Sequence, residues 1–407
     1  MSSTFWLTNA RLETGYQVTN NSITGTKTEA FHLKICDGRI AKIISANESL
    51  PEHLPKKDVN HLLMLPSFVE QHCHLDKTLL GDQWHSATPA PTIFDRLKLE
   101  KEETRQTLDT TIQERAEKLL NRYLMYGVTH VRTHVDIYPE IGLKHFEEVQ
   151  KILQAFAGKL TSEIVAFPQH GLLRSGVQHL VREALKQGAQ FVGGVDPATV
   201  DGDIEASLQA MVELAVEGNA GIDLHLHDPD HLGIFTMKRL AELTKEAGLQ
   251  GKVAISHAFG LGEISPSEAM EVAEQLAEAG ITIITSVPIN RRVPPVDLLH
   301  SKDVPVAVGC DNIFDVWSPF GNGDILERAG RLAEIFTWID EPALAQTLSY
   351  ITDGKTPLNL EGKQIWPCLG DDANMVFVDA SCSAEAVARR SQRAATMFKG
   401  EIVSGTF

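Results

Sequence analysis

Two histidines separated by one residue, His72 and His74, follow the apolar run that starts at Leu62 and ends at Val69. In an extended strand residues two apart share a face, so both imidazoles point the same way and can grip one cation from one side. Cys73 alternates to the other face and is expected to pack rather than ligate. Two imidazoles do not hold a catalytic metal alone, so further His, Asp or Glu side chains must come from elsewhere in the chain. Three later segments offer them: Asp223-Leu224-His225-Leu226-His227-Asp228, Ile255-Ser256-His257 and Val308-Gly309-Cys310-Asp311-Asn312. His72, His74, His225 and Asp311 would supply three neutral nitrogens and one carboxylate and leave a position for water. His257 completes the ring of polar groups.

These residues meet only if the elements carrying them end on one rim. From about residue 60 to 355, short β-rich runs alternate with longer amphipathic stretches, the pattern of repeated βα units. The runs are the one before His72, then Val128–Val135, Glu163–Pro168, Phe191–Gly194, Ile222–Leu226, Val253–Ser256, Ile281–Ser286 and Val304–Gly309. The helical stretches include Gln106–Tyr126, Leu143–Leu160, Gly176–Gln187, Ile204–Glu217, Thr236–Ala247 and Pro266–Ala279. Eight such units imply an α/β fold, a (β/α)8 TIM barrel over residues 63–357, whose C-terminal strand ends form a single rim. Residues 1–62 and 358–407 read as short strands at Phe5–Leu7, Phe31–Cys36, Arg39–Ile44, Asn374–Val378, Ala395–Lys399 and Glu401–Val403. They are expected to join as a small β-sandwich domain built from both termini.

The 407 residues carry 37 Lys plus Arg against 54 Asp plus Glu, a net charge of −17 that repels polyanions and argues against nucleic acid as a partner. A small neutral or cationic molecule suits it better. No apolar run reaches membrane-spanning length, and no basic region followed by an apolar core opens the sequence, so a cytoplasmic protein is expected. Five scattered cysteines without a C-x-x-C pair read as free thiols.

The strings Pro66–Lys77 (PSFVEQHCHLDK), Thr129–Asp136 (THVRTHVD), Ala166–Gly171 (AFPQHG), Val192–Pro197 (VGGVDP), Ser256-His257 and Gly309–Gly321 (GCDNIFDVWSPFG) resemble the amidohydrolase superfamily. Within it they look like the cytosine deaminase branch, which includes the N-isopropylammelide isopropylaminohydrolases. The resemblance implies His72, His74, His225 and Asp311 as ligands of one divalent metal ion, Zn²⁺ or Fe²⁺. It implies His257 and Asp311 as the groups handling the water's proton and Gln169 as a hydrogen bonder to the substrate ring edge. Where cytosine deaminases carry a Glu three residues after the fifth-strand His, this chain has Asp228 with His227 beside it, and Asn312 replaces a second Asp after the eighth-strand ligand. Phe191–Val195 offers no lysine to bridge two metals, so one metal is expected.

The activity implied is hydrolytic deamination of an N-heterocycle, either a cytosine-like aminopyrimidine, an aminotriazine or a pterin-like ring. Activated water attacks the amidine-type ring carbon, Asp228 or His227 protonates the ring nitrogen and the leaving amine, and ammonia departs. The alternatives are release of an N-alkylamine, opening of a ring amide, or a catalytically silent metal-binding barrel. Trp317, Asn312, Trp84 and Phe94 are candidate substrate contacts, the aromatics by stacking on a planar ring. His134 and Asp136 are candidates for orienting a metal imidazole. His170 receives no role. Barrels of this kind often self-associate, so a homo-oligomer is compatible with the reading.

Overall fold

A computed structural model describes residues 4–104 and 108–407 of the chain. The first two residues of the helix expected over Gln106–Tyr126 lie outside the described residues. Eight parallel strands, Phe68–Cys73, Val128–Asp136, Thr161–Phe167, Phe191–Val195, Gly221–His225, Val253–Ser256, Ile281–Thr285 and Val306–Val308, pair in chain order. First and last meet through a parallel bridge between Cys73 and Asp311, where the Asp311 amide donates to the His72 carbonyl at 2.7 Å. The sheet is therefore a barrel closed at the point where three expected ligands sit. The other seven expected strands are present within about two residues of their reading, but the first barrel strand starts only at Phe68 and includes His72, because Leu63–Pro66 of the apolar run before it pairs into the other sheet.

The outer helices form because their apolar residues repeat at helical spacing. Ile112–Met125 buries Ala116, Leu119, Leu120, Tyr123 and Leu124, and Thr111 with Glu114 closes its first turn as a capping box. Pro266–Glu278 starts the same way, with Ser265 and Glu268 and a proline in the first turn. The helix expected from Thr236 begins earlier, at Asp230. Helix Ile93–Thr104 was not anticipated. It lies in the long excursion between the first strand and Ile112–Met125 and buries Leu97 and Glu100. No helix among the described residues is long and apolar enough to cross a membrane.

The chain ends do meet. Thr4–Thr19, Ser22–Cys36, Arg39–Ser45, Lys56–Asp58 and Leu63–Pro66 share one sheet with Met375–Val378, Arg393–Phe398 and Glu401–Gly405. Its core joins Leu7, Leu33, Ile35, Met375, Phe377 and Met397. The first two strands make one long hairpin, far beyond the short strands expected, because register shifts at Leu7/Ala10 and Glu13/Gly15 let the pairing continue past irregular residues. Leu63–Pro66, just before the first barrel strand, pairs antiparallel with Met375–Val378.

Candidate active site

His72 is the penultimate residue of the first barrel strand and His225 ends the fifth, while His74 and His257 directly follow the first and sixth and Asp311 comes three residues after the eighth. The centroid of the His72 ring lies 4.5 Å from that of His225, 4.9 Å from His257 and 5.4 Å from His74. Asp311 Oδ1 stands 3.4 Å from His72 Nε2 and 3.3 Å from His74 Nε2. His134 on the second strand joins them, 4.1 Å from His72 and 4.5 Å from His225. Possible ligand atoms of His72, His74 and Asp311 lie within 4.8 Å of one another, as do those of His72, His134 and His225. Of the four expected ligands, His72, His74 and Asp311 form one triad, while His225 shares a second with His72 and His134. His134, expected only to orient an imidazole, stands inside the cluster. Cys73 belongs to neither triad and directs its thiol at the Arg132 carbonyl.

The cluster has the chemistry of a cation site. His72 Nε2, His74 Nδ1 and both ring nitrogens of His134, His225 and His257 are sealed from solvent without a hydrogen-bond partner. Leaving so many buried polar atoms unpaired is costly unless something else engages them. Burial pushes the pKa of His74, His134, His225 and His257 down, which keeps the rings neutral and their lone pairs open. Neutral imidazoles beside one carboxylate are a donor set for a divalent transition-metal ion. Asp311 and His257 also hold positive φ, 62° and 73°, a strained conformation that their surroundings must enforce. Close packing fixes His72, since a Cβ on Gly309 would come within 2.4 Å of the His72 Cβ.

His72 is also held from behind. Its Nδ1 lies 2.8 Å from Ser256 Oγ, and Ser256 donates its only hydroxyl proton to Asp223 Oδ1 at 2.7 Å. Asp223 is fully buried and takes Arg132 on its other oxygen at 3.1 Å. With its proton committed to Asp223, Ser256 can only accept from His72, so His72 carries hydrogen on Nδ1 and presents a bare Nε2 to the cluster.

At the outer edge of the cluster His227 stacks on His257, centroids 4.4 Å apart. Asp196 holds His227 through Nδ1 at 2.9 Å and through its backbone N–H. Burial would lower the His227 pKa, but the Asp196 carboxylate outweighs it and raises it, opposite to His257. Asp228 turns away. Its carboxylate accepts from Thr199 Oγ1 and the Ala198 amide, which bind it to the turn Pro197–Asp201.

A second polar group lies beside Phe167, whose ring stacks on His225 at 4.1 Å. Lys77 Nζ sits 3.2 Å from Glu100 and 3.1 Å from Asp136 and donates to Gln169 Oε1 at 3.0 Å, with both carboxylate side chains buried. Burial alone would lower the Lys77 pKa, but Asp136, Glu100 and Asp76 prevail and keep the ammonium charged. Trp317 gives its indole N–H to Glu100 at 2.8 Å, and the Asn312 amide donates to Asp315 at 2.6 Å. Trp84 is 70% exposed and stacked on Phe314, and Phe94 lies under the Arg174 guanidinium. Neither aromatic has a contact with the imidazole cluster. His170 packs edge-on against Tyr138.

Sequence reading passed over Lys77, Glu100, Asp196, Asp223 and Ser256. Lys77, Asp196 and Ser256 lie inside the strings quoted above. Glu100 has no sequence signal, because only the unanticipated helix brings it to Lys77.

The sequence model of the amidohydrolase family matches residues 109–404. The chain belongs to the amidohydrolase family. This amidohydrolase is 40% identical over 405 residues to the uncharacterized protein YahJ from Escherichia coli (strain K12), covering 99% of this chain and 88% of the relative. It is 29% identical over 400 residues to N-isopropylammelide isopropyl amidohydrolase from Pseudomonas sp. (strain ADP), covering 95% and 96%. The crystal structure of N-isopropylammelide isopropylaminohydrolase from Burkholderia multivorans ATCC 17616 superposes with a TM-score of 0.86 at 30% identity, covering 99% of both chains. With a hydrolase and a pterin deaminase among the relatives of this family member, the amidohydrolase is a hydrolase acting on C–N bonds.

Proposed function

We propose that this amidohydrolase deaminates an N-heterocycle, an aminopyrimidine, aminotriazine or pterin-like ring, using one divalent cation, Zn²⁺ or Fe²⁺. His72, His74, His225 and Asp311 would hold the cation. When bound, such an ion supplies a water whose pKa falls from its bulk value to about 7. His257, kept neutral by burial, accepts a proton near Asp311. His227, whose proton affinity Asp196 raises, gives a proton to the ring nitrogen; the proton taken up by His257 goes to the departing amine, and the proton shed by the added hydroxyl as the carbonyl forms restores His227.

The observation that carries this reading is the stacked pair His227 and His257, whose surroundings drive their proton affinities in opposite directions beside a cluster of unpaired imidazole nitrogens. An acid and a base are thereby set side by side. Asp228 is the weaker candidate for the proton carrier, since both its oxygens are occupied by the turn.

The test is ammonia release from aminopyrimidines, aminotriazines and pterins by zinc- or iron-loaded protein, alongside His72→Ala. At least one ring should yield ammonia with the wild type and none with the variant. A metal-loaded wild type that releases nothing from any ring would overturn the proposal. The similarity to N-isopropylammelide hydrolases over nearly the whole chain favours a second reading, with an N-alkylamine as leaving group. Product analysis separates the two, because ammonia and an alkylamine are chemically distinct.

A further inference from the structure

We propose that Glu70 is a positioning residue for the metal centre: its carboxyl group takes the place of a backbone ladder where the barrel closes, and so sets the separation of His72 and Asp311. This rests on the reading of those two residues as metal ligands and deepens it.

The barrel closes between its first strand, Phe68–Cys73, and its last, Val306–Val308, which meet in the isolated bridge between Cys73 and Asp311. The first strand is itself irregular here, since its register against the second shifts between Glu70 and Cys73. Two backbone N–H groups at this seam go to a side chain. Glu70 Oε1 accepts from the His72 and the Cys310 amides, each at 2.9 Å, and Oε2 lies 3.1 Å from the Cys310 nitrogen. Glu70 is fully buried, so no water competes for either donor.

Residue 72 is thereby tied to the last strand's extension twice. Its N–H is linked through Glu70 to the N–H of Cys310, and its carbonyl accepts directly from the Asp311 amide at 2.7 Å. Gly309 lets the two segments come this near, for a Cβ there would stand 2.4 Å from the His72 Cβ and 2.9 Å from Glu70 Oε1. The spacing that results puts Asp311 Oδ1 3.4 Å from His72 Nε2. A transition-metal ion with bonds near 2 Å holds its donors to within about 0.2 Å, so a seam that slides further than that loses a ligand. Glu70 belongs to neither ligand triad and acts through the backbone alone.

Reach and acceptor count are what the seam requires. Aspartate is one methylene shorter, about 1.5 Å, and cannot hold both amides. Methionine matches the length and accepts from neither. Glutamine keeps an oxygen in the Oε1 place, with its NH2 falling beside the Cys310 thiol.

Cobalt(II) loading of wild type, Glu70→Gln, Glu70→Met and Glu70→Asp tests this. Chelator competition gives the affinity, the visible absorption of bound cobalt reports the coordination geometry, and urea unfolding of the metal-free proteins measures the fold separately. Glu70→Gln should bind within about threefold of wild type with the same spectrum, while Glu70→Met and Glu70→Asp should bind at least about tenfold more weakly with a changed spectrum. A merely structural side chain would lower the unfolding midpoint of the latter two and leave affinity and spectrum alone, and that result would overturn the proposal. So would a loss beyond threefold in Glu70→Gln, which decides alone if the other two do not fold. A wild type that binds no cobalt would sink the ligand reading and this inference with it, whereas normal wild-type binding with unaffected variants would sink this inference only.

Discussion

The hydrogen-bond chain behind His72 makes its own prediction, in which two small substitutions far from any substrate weaken metal binding through a change of tautomer. Ser256→Ala deletes the only partner of His72 Nδ1, a buried atom whose hydrogen bond is 2.8 Å long. The imidazole then loses the group that fixed hydrogen on Nδ1, and the competing tautomer, with Nε2–H aimed at Asp311 3.4 Å away, removes the lone pair from the cation side. Loss of such an orienting partner typically lowers metal affinity about 10- to 100-fold, or about 1.4–2.8 kcal/mol. Asp223→Asn is the sharper test because it changes neither volume nor shape. Arg132 only donates, so the new amide turns its oxygen to Arg132 and its NH2 to Ser256. Ser256 must then donate to His72 Nδ1, which forces the proton to Nε2. Chelator competition measures affinity, and nitrogen NMR of the imidazole in the metal-free protein reads the tautomer. Both variants should bind metal at least about tenfold more weakly, and Asp223→Asn should move the His72 proton. Unchanged affinity in both, or an unmoved proton in Asp223→Asn, would refute the reasoning.

Three further outcomes are expected. His72→Ala and Asp311→Ala should each lose bound metal and turnover together, measured by elemental analysis and product release, since His72 belongs to both ligand triads and Asp311 supplies the carboxylate of one. His227→Ala should keep its metal and lose about 10²–10⁴ in turnover, while Asp228→Asn loses about tenfold or less; the reverse ranking would return the proton carrier to Asp228. Burial raises the Asp315 pKa to about 7, above its unfolded value of about 3.9, so its proton stabilises the fold in acid and that contribution is lost as pH rises from about 4 to about 7. Asp315→Asn has no such proton. Urea unfolding of the metal-free proteins should show wild type losing about 2 kcal/mol or more relative to the variant between pH 5 and pH 7, and parallel pH profiles would count against it.

The convergence of these side chains was legible in the sequence because a parallel barrel converts order along the chain into position on a rim. Once eight alternating runs were counted, His72, His225, His257 and Asp311 each fell within three residues of a strand end, and strand ends converge. Alternation also placed Cys73 correctly, since its direction depends only on the period of the strand. Alternation broke down beyond the strand ends. His227 and Asp228 lie past the end of the fifth strand, where no period assigns a direction, and only the turn at Pro197–Asp201 and the carboxylate of Asp196 decide which of the two faces His257.

Helix Ile93–Thr104 escaped for a different reason. It buries little of its surface and lies between expected elements, so its one decisive residue, Glu100, has no neighbour in sequence that explains it. What sequence could not supply was the direction of each hydrogen bond. Gln169 read as a side chain able to pair with a mixed donor and acceptor edge, which is true of glutamine in general. Lys77 lies 92 residues away in sequence, and its three donors without an acceptor remove half of that capacity. The same accounting fixes His72, where Arg132 and Asp223 determine what Ser256 can offer, and Ser256 determines which nitrogen of His72 is bare. The metal affinity of this site is therefore expected to depend on Arg132, which does not need to touch the ion.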